Sequence, residues 1–275
     1  MTLDKTYSVN EDSARLTAAI APCVASFGCS VHDVSPPRAW SSSCFFVVVN
    51  GHLLMCTAAH VIDEILEVIK SGVILSHWHI NDVFTKPSGT IVYPFEVMER
   101  ERLHLREDKL GLDYCLIYVD WLTAENIQRS GVRAITMERT ADASEVEKLV
   151  LTGFASNYTQ KNGSSISQRH YVLGVTQIER PENWNPDQSQ TSLFGRLDTV
   201  DSEELNAVDI GGMSGGPIFG LIKQEDGSSI IRLVAVQSGW SKESRIITAC
   251  PIGPFLAAVE RLINEAGEES PDGMV

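Results

Sequence analysis

The sequence predicts an all-β chain folded into compact barrels, and three observations carry that expectation. Asn50-Gly51 is a strong two-residue hairpin turn between two apolar runs, residues 44–49 and 52–57. The second half holds candidate strands at 149–154, 170–178, 192–197, 217–222, 230–237 and 245–249, separated by glycine- and polar-rich connectors. Apolar residues at helical spacing are confined to a few segments outside those runs.

In chain order, residues 1–40 read as an N-terminal extension. Its mildly apolar run, 16–31, follows Glu11 and Asp12, which suggests a short helix from about 11 to 27, and it ends in the turn-rich Ser35-Pro36-Pro37-Arg38. In the hairpin that follows, a two-residue turn sets Val49 against His52 and Phe45 against Cys56. Ile62, Ile65, Leu66 and Ile69 recur at helical spacing until Gly72 stops them. Strands are expected at 73–80, 90–97 and 115–119, and a short helix or turn at 123–130 joins the halves. Segments 156–167 and 181–190 are polar and read as surface loops, either of which could border a cleft. Phe255, Leu256, Val259, Leu262 and Ile263 predict a C-terminal helix, closed by Gly267 and an acidic tail.

Three blocks carry chemistry. Gly211-Gly212-Met213-Ser214-Gly215-Gly216-Pro217 sets one serine among glycines whose backbone leaves room for a substrate carbonyl. Serine is a weak nucleophile at neutral pH and needs a base. Thr57-Ala58-Ala59-His60 offers one, and Leu112-Asp113-Tyr114 brings an acid into an apolar strand. His60 would take the Ser214 proton and return it to the leaving amine, while Asp113 would fix the imidazole tautomer and stabilise its charged form. The amides of Gly212 and Ser214 would face the developing oxyanion. Asp108, in a charged run, and Asp120, after the strand, compete with Asp113, which fits best because it starts the strand.

In the order T-A-A-H, G-x-D-Y-x-L-I, G-x-S-G-G-P, spaced by 53 and 101 residues, these blocks resemble the trypsin/chymotrypsin-like serine peptidases, and bacterial and organellar members more than digestive ones. The resemblance covers roughly residues 40–255. It implies two six-stranded antiparallel β-barrels, chymotrypsin-like. Residues 41–135 would form the first and carry His60 and Asp113, 136–253 would form the second and carry Ser214, and 254–275 would be the C-terminal helix and tail. It implies a serine endopeptidase with His60, Asp113 and Ser214 as catalytic residues and Gly212 and Ser214 as the oxyanion hole. Val208, Asp209, Ser238, Gly239 and Trp240 would bind substrate, with an extended peptide added to a strand edge. Val208 falls at the pocket floor, where trypsin-like members carry aspartate. Asp209 either faces the pocket and favours a basic residue, or points into the barrel and leaves an apolar preference. Ser238 resembles the serine that supports the triad aspartate. Met213 replaces the aspartate that takes a freed N-terminal amine, so restraint by narrow specificity or by a regulatory protein partner is expected instead. A catalytically poor peptide-binding relative, and an esterase using the same residues, are the alternatives.

Composition bounds the remaining classes. Of 275 residues, 43% are apolar and 21% charged, ordinary for a globular chain with ample length for a core. A net charge of −14 disfavours nucleic acid and anionic membranes as partners. No run reaches the ~20 apolar residues of a membrane span, and the start has neither the net positive charge nor the compact apolar centre expected of a secretory signal. Six cysteines invite a disulfide reading, but the hairpin register puts Cys44 and Cys56 on opposite faces, and Val61 and Ile210 stand where extracellular relatives carry cysteine. A reduced, cytoplasmic protein is expected, with a local Cys23–Cys29 pair left open. His77 and His79 share a strand face, but without a C-x-x-C knuckle no metal is assigned, and no cofactor is implied.

Overall fold

A computed structural model of the chain describes residues 11–33, 35, 38–82, 91–162, 165–182, 184, 190–199 and 209–268. Two largely antiparallel β units stand side by side, consistent with the expected double barrel, although the first is an eight-stranded sheet among the described residues and only the second closes with six strands. In the first, β1 (Ala25–Val31), β2 (Arg38–Val49), β3 (His52–Thr57), β4 (Leu75–Asp82), β5 (Ile91–Pro94), β6 (Arg102–Glu107) and β7 (Leu112–Tyr118) run in the order β5-β4-β1-β2-β3-β7-β6, and β8 (Ile135–Thr136) pairs with β2 in parallel. In the second, β9 (Lys148–Asn162), β10 (Ser165–Ile178), β11 (Leu193–Leu197), β12 (Pro217–Lys223), β13 (Ser229–Ser241) and β14 (Ile246–Pro251) close into a six-stranded barrel, ordered β10-β11-β14-β13-β12-β9. The helices are α1 (Glu11–Ile20), α2 (Ala59–Lys70), α3 (Trp121–Arg129) and α4 (Ile252–Glu268).

The long strand β2 organises the first unit. Its first half pairs with β1, Ala25 opposite Cys44, and its second half with β3, Phe45 opposite Cys56. Asn50 and Gly51 both take positive φ, 49° and 79°, the geometry of a type I′ turn, and this fixes the register. Because side chains alternate along a strand, Cys44 and Phe46 enter a core with Phe27, Met55, Ile80 and Ile117. Phe45, Val47 and Val49 instead meet Val150, Phe219, Leu233 and α4 at the seam between the units. Both faces of β2 are therefore buried, and its apolar run does not alternate. A third core fills the second barrel and includes Leu151, Ile210, Met213, Ile218 and Ile247.

Several elements differ from the sequence reading. Helix α1 stops at Ile20, and the chain then forms the strand β1 inside the segment assigned to the extension. Segment 156–167 is no loop: β9 and β10 pair through it, Asn162 opposite Ser165, although residues 163–164 and most of segment 181–190 lie outside the described residues. β6 is an unexpected edge strand, charged as edge strands usually are. All six cysteines are free; Cys29 packs in the first core and Cys23 against the seam, so the local pair is not formed.

Candidate active site

His60 is the second residue of α2, delivered by the end of β3 through an extended Ala58. Asp113 stands near the start of β7, the strand paired to β3. The carboxylate grips the histidine twice: Oδ1 accepts the His60 backbone amide at 2.8 Å, and Oδ2 meets ring Nδ1 at 2.5 Å. The two contacts leave Nε2 as the free end of the imidazole and fix which nitrogen carries the proton. The side chains are 18% and 13% exposed, shielded enough for the pairing to matter. Burial pulls the His60 pKa down, but the hydrogen bond and charge of Asp113, helped by Glu64, outweigh burial and the opposing Arg106, so the net direction is up. The competing acids are engaged elsewhere. Asp120 caps α3 through the Thr123 amide and pairs with Arg100, and Asp108 takes Arg106 Nε.

The serine turn is built against the same wall. Glycine is required at 215, where φ is +84° and an added Cβ would sit 2.1 Å from Thr57 Oγ1, 2.7 Å from Ser43 O and 2.9 Å from Ala58 N. The turn thus rests on the two residues that lead toward His60. Met213 is fully buried in the second barrel and anchors the turn from below, which explains an apolar residue beside the serine. From the first unit, Ser42 Oγ donates to Ser214 O at 3.0 Å and the Ser43 amide donates to Gly212 O at 3.3 Å. From the second, the Gly215 amide donates to Gln237 O at 2.9 Å. Sequence reasoning missed Ser42 and Ser43. Their signal was three consecutive serines leading into an apolar strand, hydroxyls that burial obliges to find partners.

Within 211–216, the amides of Gly211, Met213, Gly215 and Gly216 are spent on Asp209 Oδ1, Ile210 O, Gln237 O and Met213 O. Those of Gly212 and Ser214 have no acceptor among the described residues. They are the two expected to face an oxyanion, and donors held free are what such a site needs. The structure therefore joins His60 to Asp113 directly and packs the serine turn on the same wall. Among the described residues no hydrogen bond joins His60 Nε2 to Ser214 Oγ, a contact that often tightens only when substrate arrives.

The other predicted residues divide. Val208 lies outside the described residues. Asp209 faces neither a pocket floor nor the barrel interior: Oδ1 caps the Gly211 amide and Oδ2 pairs with Lys242 at 3.0 Å. The Gly211 amide first, then Lys242, hold its pKa below the usual carboxylate range, so its charge is already answered within the chain. Ser238 is the extra residue of a β-bulge between Gln237 and Gly239, a device that re-aims a side chain. It lines a cleft of about 230 Å³ with His60, Arg106, Asp108, Asp113 and Ser192, but its hydroxyl bonds Thr248 Oγ1 at 3.3 Å and not Asp113. Gly239 sits against Thr248, whose Oγ1 would lie 2.3 Å from an added Cβ. Pairing of β12 with β13 ends at Val236, so Ser238, Gly239 and Trp240 have β14 on one side and, among the described residues, no strand on the other. Such an edge can accept an extended peptide.

No family model and no curated protein sequence matches the chain. Among solved structures, the chain is similar to a thermostable serine protease, AL20, from an extremophilic microorganism (12% identity, 88% of this chain and 96% of that one, TM-score 0.42). It is similar to the MamO protease domain from Magnetospirillum magneticum (13% identity, 87% and 96%, TM-score 0.44). It is also similar to Deg5 (14% identity, 90% and 94%, TM-score 0.46). These likenesses are distant, and the chemistry of the site is read from this chain's own residues.

Proposed function

We propose that the chain is a serine endopeptidase that hydrolyses peptide bonds in protein substrates. The observation that supports this best is a conjunction. A histidine held by a half-buried carboxylate shares a wall with a turn in which the amides of Gly212 and Ser214 have no acceptor among the described residues. In the reaction, Ser214 Oγ attacks the scissile carbonyl as Nε2 takes its proton, and Asp113 stabilises the resulting imidazolium. The carbonyl oxygen becomes an oxyanion between the Gly212 and Ser214 amides. The protonated imidazole then gives its proton to the leaving amine, and water repeats the sequence on the acyl-enzyme. The open edge of β13 at Ser238–Trp240 would hold the peptide extended.

The pairing of Asp209 with Lys242 argues against a plain preference for basic residues, because the carboxylate nearest the expected pocket is neutralised. A reduced, cytoplasmic setting and restraint by narrow specificity or by a protein partner belong to the same reading. The open step between His60 and Ser214 favours one alternative, a binding relative with little catalysis. A fluorophosphonate probe separates the two. Labelling that vanishes in Ser214→Ala and falls strongly in His60→Ala supports an active nucleophile, which cleavage of a peptide and not of a simple ester then assigns to a peptidase, whereas folded protein that takes no label supports the binding relative.

A further inference from the structure

Arg106 occupies the point where the two elements that carry His60 and Asp113 come together. On β6 it lies directly across from Asp113 in the β6–β7 register. Its Nη1 donates to Asp63 Oδ2 at 2.8 Å, and Asp63 stands one turn beyond His60 on the same helix, α2. Its Nε donates to Asp108 Oδ1 at 3.1 Å, in the turn between β6 and β7. The other oxygen of Asp63 meets His104 Nε2 at 3.1 Å, a second tie from β6 to α2. Arg106 also lines the cleft beside His60 and Asp113.

An isolated ion pair at 30–40% exposure contributes little to stability. Its placement is what matters here. The guanidinium is a planar fork that can hold two carboxylates in fixed directions, which an ammonium cannot. One carboxylate belongs to the helix of the base and the other to the hairpin of the acid. We propose that Arg106 is a positioning residue, clasping α2 to the β6–β7 hairpin so that His60 and Asp113 stay in register as a pair. The inference rests on the proposed function for its activity readout, but not for its titration readout.

The charged and titratable groups around the His60 ring are Asp113 from β7, Asp63 and Glu64 from α2, His104 and Arg106 from β6, and Asp108 from the turn. Asp113 and Glu64 favour the protonated ring, and Arg106 opposes it. Removing the guanidinium also takes a cation from Asp108 and from Asp63, which keeps only His104, so both changes push the ring the same way.

The test follows His60 ring protonation by NMR in the intact chain, beside the rate of fluorophosphonate labelling. In Arg106→Met the titration midpoint moves to higher pH and labelling slows. In Arg106→Lys the midpoint stays near that of the parent while labelling still slows, because one ammonium cannot bridge both carboxylates. In Asp63→Asn, which frees the guanidinium, the midpoint moves to lower pH. A folded Arg106→Met with an unmoved midpoint, or Arg106→Lys labelling at the parent rate, overturns the proposal. Should Arg106→Met fail to fold, the other two variants decide, each by the outcome stated for it. A parent that takes no label while the midpoints move as described defeats the peptidase reading and leaves this one standing.

Discussion

Replacing Gly215 with alanine is the sharpest test of how the serine turn is held. Two costs add. The residue sits at φ +84°, and a side chain there costs about 1–2 kcal/mol. The new methyl would also lie 2.7 Å from Ser43 O and 2.9 Å from Ala58 N, backbone atoms that cannot swing aside, as well as 2.1 Å from Thr57 Oγ1. Overpacking of this kind costs about 1–3 kcal/mol. The sum, roughly 2–5 kcal/mol, is a large part of the ~5–15 kcal/mol that keeps a domain folded. Gly227 supplies the control, because its φ is +82° but an added Cβ would meet nothing within 4 Å. Gly227→Ala should therefore show the conformational cost alone. Urea unfolding of the two variants isolates the steric part, expected to make Gly215→Ala less stable by about 1–3 kcal/mol. The folded fraction of Gly215→Ala should also label poorly with fluorophosphonate, since relief of the clash moves Ser214 away from the wall that carries His60. Equal stability in the two variants, within about 0.5 kcal/mol, would refute the claim that the turn is pressed against Thr57 and Ala58.

Other expectations concern charge and anchoring. Asp113→Asn should fold but lose roughly 10⁴-fold in labelling rate, because the amide no longer holds the required tautomer; a loss under tenfold would contradict the assigned role. The raised His60 pKa places the acid limb of the labelling rate above the ordinary histidine value of about 6.5. It also gives a stability contribution that is complete below pH about 6.5 and lost as pH rises through the folded value, measurable by urea unfolding of the parent against His60→Gln. His170 should act with the opposite sign. Burial pushes its pKa down to about 3, so stability falls as pH drops from about 6.5 toward 3, by an amount that its partial exposure limits, and His170→Gln should flatten that slope. Tyr114→Phe keeps the stack on Phe255 at 4.1 Å but removes the bond to Pro251 O, and should cost about 1 kcal/mol in denaturant unfolding with labelling unchanged.

What the sequence disclosed and what it hid have physical reasons. The β2–β3 hairpin was legible because Asn50 and Gly51 together permit the one tight turn that fixes a register. The serine turn was legible because glycine at 215 answers a steric demand that few residues satisfy. β1 was hidden because the Ser26, Gly28 and Ser30 that alternate with Ala25, Phe27, Cys29 and Val31 are small and buried, so the strand lacks the charged outer face that marks alternation, and the stretch read as the end of a helix. β6 was hidden because an edge strand is protected by charge, and its last residues, Arg106 and Glu107, belong to the charged run that holds Asp108. The paired arms through 156–167 were hidden because their sequence is mostly Asn, Ser, Gln, Lys and Gly, with too few apolar residues to show a strand's alternation. For the site, His60 and Asp113 could be read from their blocks, but the supporting hydroxyls of Ser42 and Ser43 and the clasp of Arg106 depend on partners 43–172 residues away, which no local pattern identifies. Asp209 shows the same limit: its partner Lys242 is 33 residues on, and that pairing changes what the carboxylate can offer a substrate.

The most direct trial is a crystal structure of the protein inhibited by a fluorophosphonate. The expected result is phosphorus bonded to Ser214 Oγ, with its free oxygen about 2.7–3.1 Å from the amides of both Gly212 and Ser214, and His60 Nε2 turned toward Oγ. An adduct on another residue, or an oxygen pointing into solvent away from both amides, would contradict the account.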